Sequence, residues 1–356
     1  MAIVVAGGGA IGLMVAGQLA HAGQPVALLA RPRAVEQLRQ QPLRIQAGKH
    51  SLPVALPHIA PSPAELPPAF HAPDLAIVCV KGYDTEALIP ALHDLSPRQV
   101  LSLQNGVGNE EQLAAQFGAE RVLAGVVTSS VQQTAPDQLT ITRRGGIGIA
   151  DLRLTDELPR AAAWAMQLRT PHSDVTYYPD YRAMKWSKLL LNMLANATPA
   201  ILDLPLERVY RRADLVALEQ RAFLEAVQVM TRSGFAPVNL PGYPVTRLVW
   251  AMQSLPMPVL RPLLRRVVGG GRGGKQPSLH QDLLRGRTRT EGDYLYGAVV
   301  AAAPPVQSSV PVNTILWQTL RDIASGVQDW SQYRQQPHRL LEAIAHCATT
   351  GAASPA

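Results

Sequence analysis

Residues 2–12 read AIVVAGGGAIG, so a short apolar run passes directly into glycines and then into a stretch without proline. This order predicts a buried strand, a tight turn and a helix. Gly7, Gly9 and Gly12 stand at the three glycine places of G-x-G-x-x-G, which permit the turn, the approach of a phosphate to the backbone, and close packing of helix on strand. The helix N-terminus adds N–H groups and a partial positive charge. The stretch predicts a pyrophosphate site formed by Gly7, Gly8, Gly9, Ala10, Ile11 and Gly12; the alternative is a glycine turn without a ligand.

The second apolar run ends in arginine. Residues 25–30 predict a strand, which Arg31 follows directly and Arg33 follows two residues later. An acidic residue in this region binds the ribose 2′-hydroxyl of NAD, whereas a basic one suits the 2′-phosphate of NADP. Because no carboxylate precedes Glu36, the sequence favours NADP(H), with Arg31 at the phosphate. The alternative is that both arginines are surface residues at the start of a helix.

Two further buried runs end in polar residues. Residues 75–80 lead to Lys81, and residues 100–103 lead to Gln104 and Asn105. In an open parallel sheet the ligands lie beyond the carboxyl ends of the strands, so Lys81 and Asn105 are expected at the same edge as the glycine turn. The remaining strands of the α/β region are expected at residues 43–56 (a hairpin), 122–127, 139–150 and 175–178.

The pattern changes near residue 180 from alternating strands and helices to long helices. We therefore predict an α/β domain at residues 1–179, with a doubly wound sheet that binds NADP. An all-α domain at residues 180–346 is expected to bind substrate and mediate dimerisation, and residues 347–356 are expected to form a tail.

A polar row is predicted on the helix at residues 181–197. Lys188, Asn192 and Asn196 stand four residues apart, so they share one face of a helix that is otherwise mostly apolar. Polar groups in such surroundings need partners, and a bound carboxylate and hydroxyl would supply them. The alternative is that the asparagines bind neighbouring backbone and that Lys188 extends to solvent.

A second polar segment follows at residues 278–297, which read SLHQDLLRGRTRTEGDYLYG. Ser278 and Asp282 are expected to open a helix, and Thr290 and Glu291 another. Glu291 therefore also has an ordinary interpretation as a first-turn carboxylate.

The composition argues against several classes of protein. A chain of 356 residues that is 47% hydrophobic can form two cores. Its two cysteines support neither a disulfide framework nor a metal centre, so we expect a cytoplasmic protein. The net charge of +7 would suit nucleic acid, but only 5% of residues are aromatic and no recognition motif occurs. No apolar run is long enough to span a membrane. An anionic ligand and a basic solvated surface account for the charge.

Five ordered motifs together resemble the ketopantoate reductase (2-dehydropantoate 2-reductase) family. They are GGGAIG at residues 7–12, VKGYDT at 80–85, LQNGVGNE at 103–110, WSKLLLNMLAN at 186–196, and the segment from SLHQD at 278–282 to RTE at 289–291. The resemblance implies an N-terminal Rossmann-type domain and a helical C-terminal domain similar to that of 6-phosphogluconate dehydrogenase. It also implies NADPH-dependent reduction of a small 2-keto acid, most simply 2-dehydropantoate to (R)-pantoate in pantothenate biosynthesis.

The resemblance also implies roles for the residues within these motifs. By matching position, Lys188 is the general acid. Asn105 and Lys81 lie at the nicotinamide and ribose, and Asn105 also contributes to catalysis and substrate binding. Glu291 closes the site over cofactor and substrate.

The substrate itself is expected to contact Lys188, Asn192, Asn196 and Ser278 by the same matching. The chain departs from the family in four respects. One extra residue lies between Asp282 and Glu291; Tyr296 and Leu206 stand where the family can have asparagine; and the segment at 235–276 is longer than usual.

Three alternatives remain open at this level. A paralogue could reduce another branched or aromatic keto acid or oxidise an alcohol, and a non-catalytic sensor could bind NADP(H) without turnover. The segment at 235–276 could cap the pocket, form a dimer surface or touch a membrane, and its glycine run could also be a flexible loop. The expected partner is a small keto acid, with no nucleic acid and no membrane, and a homodimer is left open.

Overall fold

The computed structural model describes residues 1–48, 50–153, 159–271 and 276–351. Its contacts divide the chain into two compact units. The first unit comprises Met1–Lys185 and Leu240–Tyr243, and the second comprises Trp186–Asn239 and Pro244–Ala356. The division at Lys185 lies six residues beyond the predicted boundary at residue 179, inside a helix.

The first unit contains all twelve strands of the described residues. They are β1 (Ile3–Ala6), β2 (Val26–Leu29), β3 (Leu43–Ala47), β4 (His50–Val54), β5 (Ile59–Ala60), β6 (Leu75–Val78), β7 (Gln99–Ser102), β8 (Val122–Val127), β9 (Ser130–Ala135), β10 (Gln138–Arg143), β11 (Gly146–Asp151) and β12 (Asp174–Tyr177).

Eight of these strands form one sheet in the order β12-β11-β8-β7-β6-β1-β2-β5. Neighbouring strands run parallel except β8 and β11, which are antiparallel. Strand β1 has β2 as its neighbour on one side and β6 on the other. The direction of winding therefore reverses at β1, which is the switch point of a doubly wound sheet. Alternate residues of β1 belong to different cores, with Ile3 and Val5 on one face and Val4 and Ala6 on the other.

The fifteen helices of the described residues follow the order of the chain. They are α1 (Ala10–His21), α2 (Pro32–Gln40), α3 (Thr85–Leu95), α4 (Asn109–Phe117), α5 (Arg160–Gln167), α6 (Tyr181–Met193), α7 (Ala197–Leu202), α8 (Leu206–Arg211), α9 (Ala213–Arg232), α10 (Val245–Ser254), α11 (Met257–Gly271), α12 (Ser278–Leu284), α13 (Gly292–Ala302), α14 (Pro311–Ser325) and α15 (Pro337–Gly351). No helix within the described ranges has both the length and the hydropathy needed to cross a bilayer.

A second sheet, β4-β3-β10-β9, covers α1 on the side away from the large sheet. The predicted hairpin at residues 43–56 is confirmed as β3 and β4, and β10 extends it through parallel pairing with β3. A β-carbon at Gly17 of α1 would lie 2.8 Å from Ile45 Cδ1. The two sheets enclose helix α1, which explains why the helix is apolar on nearly all sides.

The predicted continuous helix at residues 181–197 is wrong. Helix α6 ends at Met193, and α7 starts again at Ala197. Between them Ala195 adopts a φ of +53°, a left-handed conformation that no helix residue can have. The helical spacing of the polar row therefore holds for Lys188 and Asn192 but does not extend to Asn196.

Candidate active site

The glycine turn between β1 and α1 leaves little room for side chains, because a β-carbon at Gly7, Gly8 or Gly12 would lie within 3 Å of another atom. Gly7 has a φ of +123°, and a β-carbon at Gly12 would lie 1.8 Å from the carbonyl oxygen of Gly7. A β-carbon at Gly9, by contrast, would meet no atom within 4 Å. Gly7 and Gly12 are therefore required by the turn itself, whereas Gly9 faces open space where a phosphate can approach the backbone.

Helix α1 begins beside that space without a capping side chain. Gly9 occupies the cap position, and no acidic residue lies in the first turn. The first N–H groups of a helix have no partner within the helix and carry a partial positive charge. The residues present therefore fit the pyrophosphate of a dinucleotide. The Cys79 side chain borders this turn, and burial raises the pKa of its thiol to about 12.

Arg31 follows β2, as the sequence predicts, but it is paired. Its guanidinium lies 3.1 Å from a carboxylate oxygen of Asp84, and 76% of the Arg31 side chain is exposed. Asp84 belongs to the turn after Lys81, which is remote from Arg31 in sequence. The sequence around Arg31 does not indicate this contact, because Asp84 lies 53 residues further along the chain.

The turns after β6 and β7 are joined by the side chain of Gln104. Its Nε2 atom donates to the carbonyl oxygen of Val80 at 3.1 Å and to the Thr85 hydroxyl at 2.8 Å. The Asn109 amide donates to the carbonyl oxygen of Asn105 at 2.9 Å. The structure thus places Lys81 and Asn105 on neighbouring turns at the carboxyl edge of the sheet.

In the second unit, three predicted residues meet around the break after α6. Asn196 Nδ2 donates to the carbonyl oxygen of Asn192 at 2.9 Å and to the Ser278 hydroxyl at 3.4 Å. Asn196 Oδ1 accepts from the N–H of Leu279 at 3.2 Å, in the first turn of α12. Asn196 is 4% exposed, so these contacts lie in the interior. Lys188 and Asn192 are half-buried one turn apart on α6.

Two side chains outside the predicted site residues hold this break. The Tyr296 hydroxyl donates to the carbonyl oxygen of Met193 at 2.6 Å and accepts from the N–H of Ala197 at 3.1 Å. The Glu219 carboxylate accepts from the N–H of Ala195 at 2.6 Å and also from the Thr198 hydroxyl. In sequence Tyr296 stands out only as a departure from the family, and Glu219 is one of several charged residues on α9, so the sequence gives no signal that selects it.

Glu291 occupies the place expected for it at a helix start. It is the cap residue of α13, is 4% exposed, and accepts the N–H of Tyr294 at its carbonyl oxygen at 3.1 Å. The Thr290 hydroxyl accepts from the N–H of Gly292 at 3.2 Å. A carboxylate is therefore held in the interior at the start of α13.

Comparison with known proteins gives both units the same relatives. A family model described as "Ketopantoate reductase PanE/ApbA" matches residues 3–153, and its C-terminal counterpart matches residues 180–324. A protein of Halobacterium salinarum named 2-dehydropantoate 2-reductase is 29% identical over 90% of this chain and 98% of its own length. A protein of the same name from Mycobacterium tuberculosis is 30% identical over 65% of this chain and 74% of its own length.

A solved structure agrees over nearly the whole chain. The PanE/ApbA family ketopantoate reductase of Ralstonia eutropha superposes with a TM-score of 0.74 at 28% identity, covering 92% of this chain and 99% of that one. The predicted fold class, a doubly wound sheet domain with an all-α C-terminal domain, is confirmed.

Proposed function

Because the chain belongs to the ketopantoate reductase family of oxidoreductases, we propose that it reduces 2-dehydropantoate to (R)-pantoate with NADPH as the hydride donor. The relatives compared above are named as reductases, so a non-catalytic sensor is not favoured. A paralogous activity on another keto acid is not favoured for the same reason.

The observation that carries the proposal is the cluster of Asn192, Asn196 and Ser278 beside the Lys188 face of α6. Asn196 uses both of its amide hydrogens on Asn192 and Ser278. The Ser278 hydroxyl accepts from Asn196, so its own hydrogen is left to donate to a ligand. A cation and oriented donors suit a small molecule that carries both a carboxylate and a carbonyl.

Several residues of the first unit support a nicotinamide dinucleotide. The open position at Gly9 and the uncapped start of α1 fit the pyrophosphate. Arg31 is assigned to the 2′-phosphate, which would compete with Asp84 for the guanidinium. Lys81 and Asn105 are assigned to the ribose and nicotinamide side.

The reaction requires a proton donor and a charged contact from this chain. Bound NADPH supplies a hydride to the carbonyl carbon of the keto acid. As negative charge develops on the carbonyl oxygen, the Lys188 ammonium donates a hydrogen bond and then its proton to that oxygen. Asn192 and Ser278 orient the substrate, and Asn196 acts through Ser278. Glu291 is assigned to closing the site over cofactor and substrate.

The test is the loss of dihydronicotinamide absorbance when purified protein is mixed with NADPH and 2-dehydropantoate. Lys188→Ala should lower kcat by about 10²–10⁴-fold, the range typical for loss of a general acid, without abolishing NADPH binding. Arg182→Ala is the matched control, since Arg182 lies on the same helix with 58% of its side chain exposed. Full activity in Lys188→Ala would exclude Lys188 as the general acid. A wild type that does not reduce 2-dehydropantoate but does reduce a different keto acid would exclude the proposed substrate.

We also propose a cytoplasmic location and a homodimer. The support is the scarcity of cysteine and the helical second unit that the sequence analysis assigned to dimerisation. Sedimentation of the purified protein tests the oligomer: a monomeric mass at assay concentrations would remove the dimer from the proposal.

A further inference from the structure

A lysine that none of the motif assignments uses is buried in the first unit beneath the Asn105 turn. Lys185 of α6 is 3% exposed. Its ammonium donates to the carbonyl oxygen of Gln104 at 2.8 Å and to that of Gly125 at 3.4 Å, and it lies 2.8 Å from Glu110 Oε1. Two of the three N–H donors of the ammonium therefore bind backbone carbonyls, and the carboxylate of Glu110 lies at ion-pair distance.

The partner carboxylate is equally enclosed. Glu110 stands in the first turn of α4 and is 1% exposed. Burial raises its pKa, while the nearby Lys185 ammonium and the Ser102 hydroxyl act in the opposite direction. The first turn of a helix also favours a negative charge.

Such a pair is not explained by stability alone. Removing two charges from water is costly, and apolar side chains of similar volume often stabilise a protein as well as a buried ion pair does. What the pair provides is direction, because the ammonium binds two backbone carbonyls at defined places. One is the carbonyl of Gln104, the residue immediately before Asn105.

The rest of the Asn105 turn is also held by hydrogen bonds. Gln104 is tied to Val80 and Thr85, and the Asn109 amide holds the carbonyl oxygen of Asn105. Gly106 and Gly108 have φ values of +85° and +103°. Glycine adopts such positive φ values far more readily than other residues, so the path of this turn depends on both glycines. The conformation of residues 104–108 is therefore set by buried polar contacts.

We propose that Lys185, paired with Glu110, is a positioning residue that fixes the Asn105 turn for hydride transfer without touching the substrate. The inference rests on the proposed function, because that function places Asn105 at the nicotinamide. Displacement of a positioned group by about 1 Å can lower a rate by about 10²-fold. The effect should fall on kcat rather than on the KM for the keto acid.

Three variants test this: Lys185→Met, Glu110→Gln, and the double variant Lys185→Met/Glu110→Leu. Each is measured for thermal midpoint, kcat, KM, and the primary isotope effect with deuterated NADPH. We expect a fall in kcat of about 10–10²-fold and a larger isotope effect, because hydride transfer becomes more strongly rate-limiting. The double variant leaves no unpaired charge, so its thermal midpoint should exceed that of either single variant, but its kcat should stay low.

The double variant separates positioning from simple stabilisation. Recovery of both thermal midpoint and kcat would overturn the proposal, and so would failure of all three variants to fold, since the pair would then serve the fold itself. Wild-type turnover of 2-dehydropantoate is measured first. If it is absent, the proposed function fails, and the same variants are then assayed with whichever keto acid the wild type reduces.

Discussion

The glycine turn of the first unit and the helix break of the second both place polar groups at a helix start, but they are held by different contacts. The turn depends on backbone atoms of Gly7 and Gly12, five residues apart. The break depends on the side chains of Glu219 and Tyr296, more than twenty residues away along the chain. A local motif can therefore be predicted from sequence, whereas a helix break that is held by remote side chains cannot.

The strongest way to break this comparison is Gly12→Ala. The new β-carbon would overlap the Gly7 carbonyl oxygen, so the turn must move, and we expect a loss of about 3 kcal/mol of unfolding free energy with loss of NADPH binding. Chemical denaturation and NADPH titration measure the two effects.

Gly9→Ala is the matched control for that change. Its β-carbon meets no atom within 4 Å, so stability should be retained while NADPH affinity falls. Equal stability of the two variants would show that the turn is not as tightly packed as described.

A smaller loss is expected from Tyr296→Phe at the break. The change leaves the carbonyl oxygen of Met193 and the N–H of Ala197 buried without the hydroxyl, which costs about 1–3 kcal/mol. Denaturation of Tyr333→Phe provides the comparison, because the hydroxyl of Tyr333 accepts only a long 3.4 Å bond from the half-buried Gln328. If both variants lose the same stability, the break does not depend on Tyr296.

Arg31→Ala should change cofactor affinity with almost no effect on stability, because the side chain is exposed. We expect the Kd of NADPH to rise about tenfold and that of NADH to stay the same. Asp84→Asn is the opposing variant: it releases Arg31, so it should tighten NADPH binding. Equal changes for both cofactors would remove Arg31 from the 2′-phosphate.

The smallest perturbation is chemical labelling of Cys79 beside the glycine turn. Because burial raises the pKa of this thiol to about 12, the thiol stays protonated at pH 8 in the folded protein, and we expect its alkylation to be much slower than in the unfolded protein. The rate should climb through pH 9–11 as the thiolate forms. Mass spectrometry of the modified peptide follows it, and rapid labelling of the folded protein at pH 8 would contradict the burial of this thiol.

Prediction from sequence succeeded where contacts are local. The glycine turn, the hairpin of β3 and β4, and the polar ends of β6 and β7 all follow from periodicity and turn residues within short stretches. It failed for the helix at 181–197, because residues up to Met193 favour a helix and nothing nearby marks the left-handed Ala195.

The candidate site divides in the same way. Asn192, Asn196 and Ser278 were selected from sequence, and the structure joins them through hydrogen bonds. Lys185 and Glu110 were passed over although both lie within or beside the quoted motifs. A single buried charge gives little sequence signal until its partner is known, since the two are 75 residues apart in this chain.

The sequence by itself determined that a glycine turn joins the first strand to the first helix, that a doubly wound sheet precedes a helical region, and which motifs carry polar groups. These features depend on residue spacing and on glycine, whose effects are felt within a few residues. Only the tertiary structure decided where α6 stops, that Asp84 holds Arg31, and that Lys185 and Glu110 lie under the Asn105 turn. Those contacts join distant parts of the chain, and folding alone brings such partners within a few ångströms.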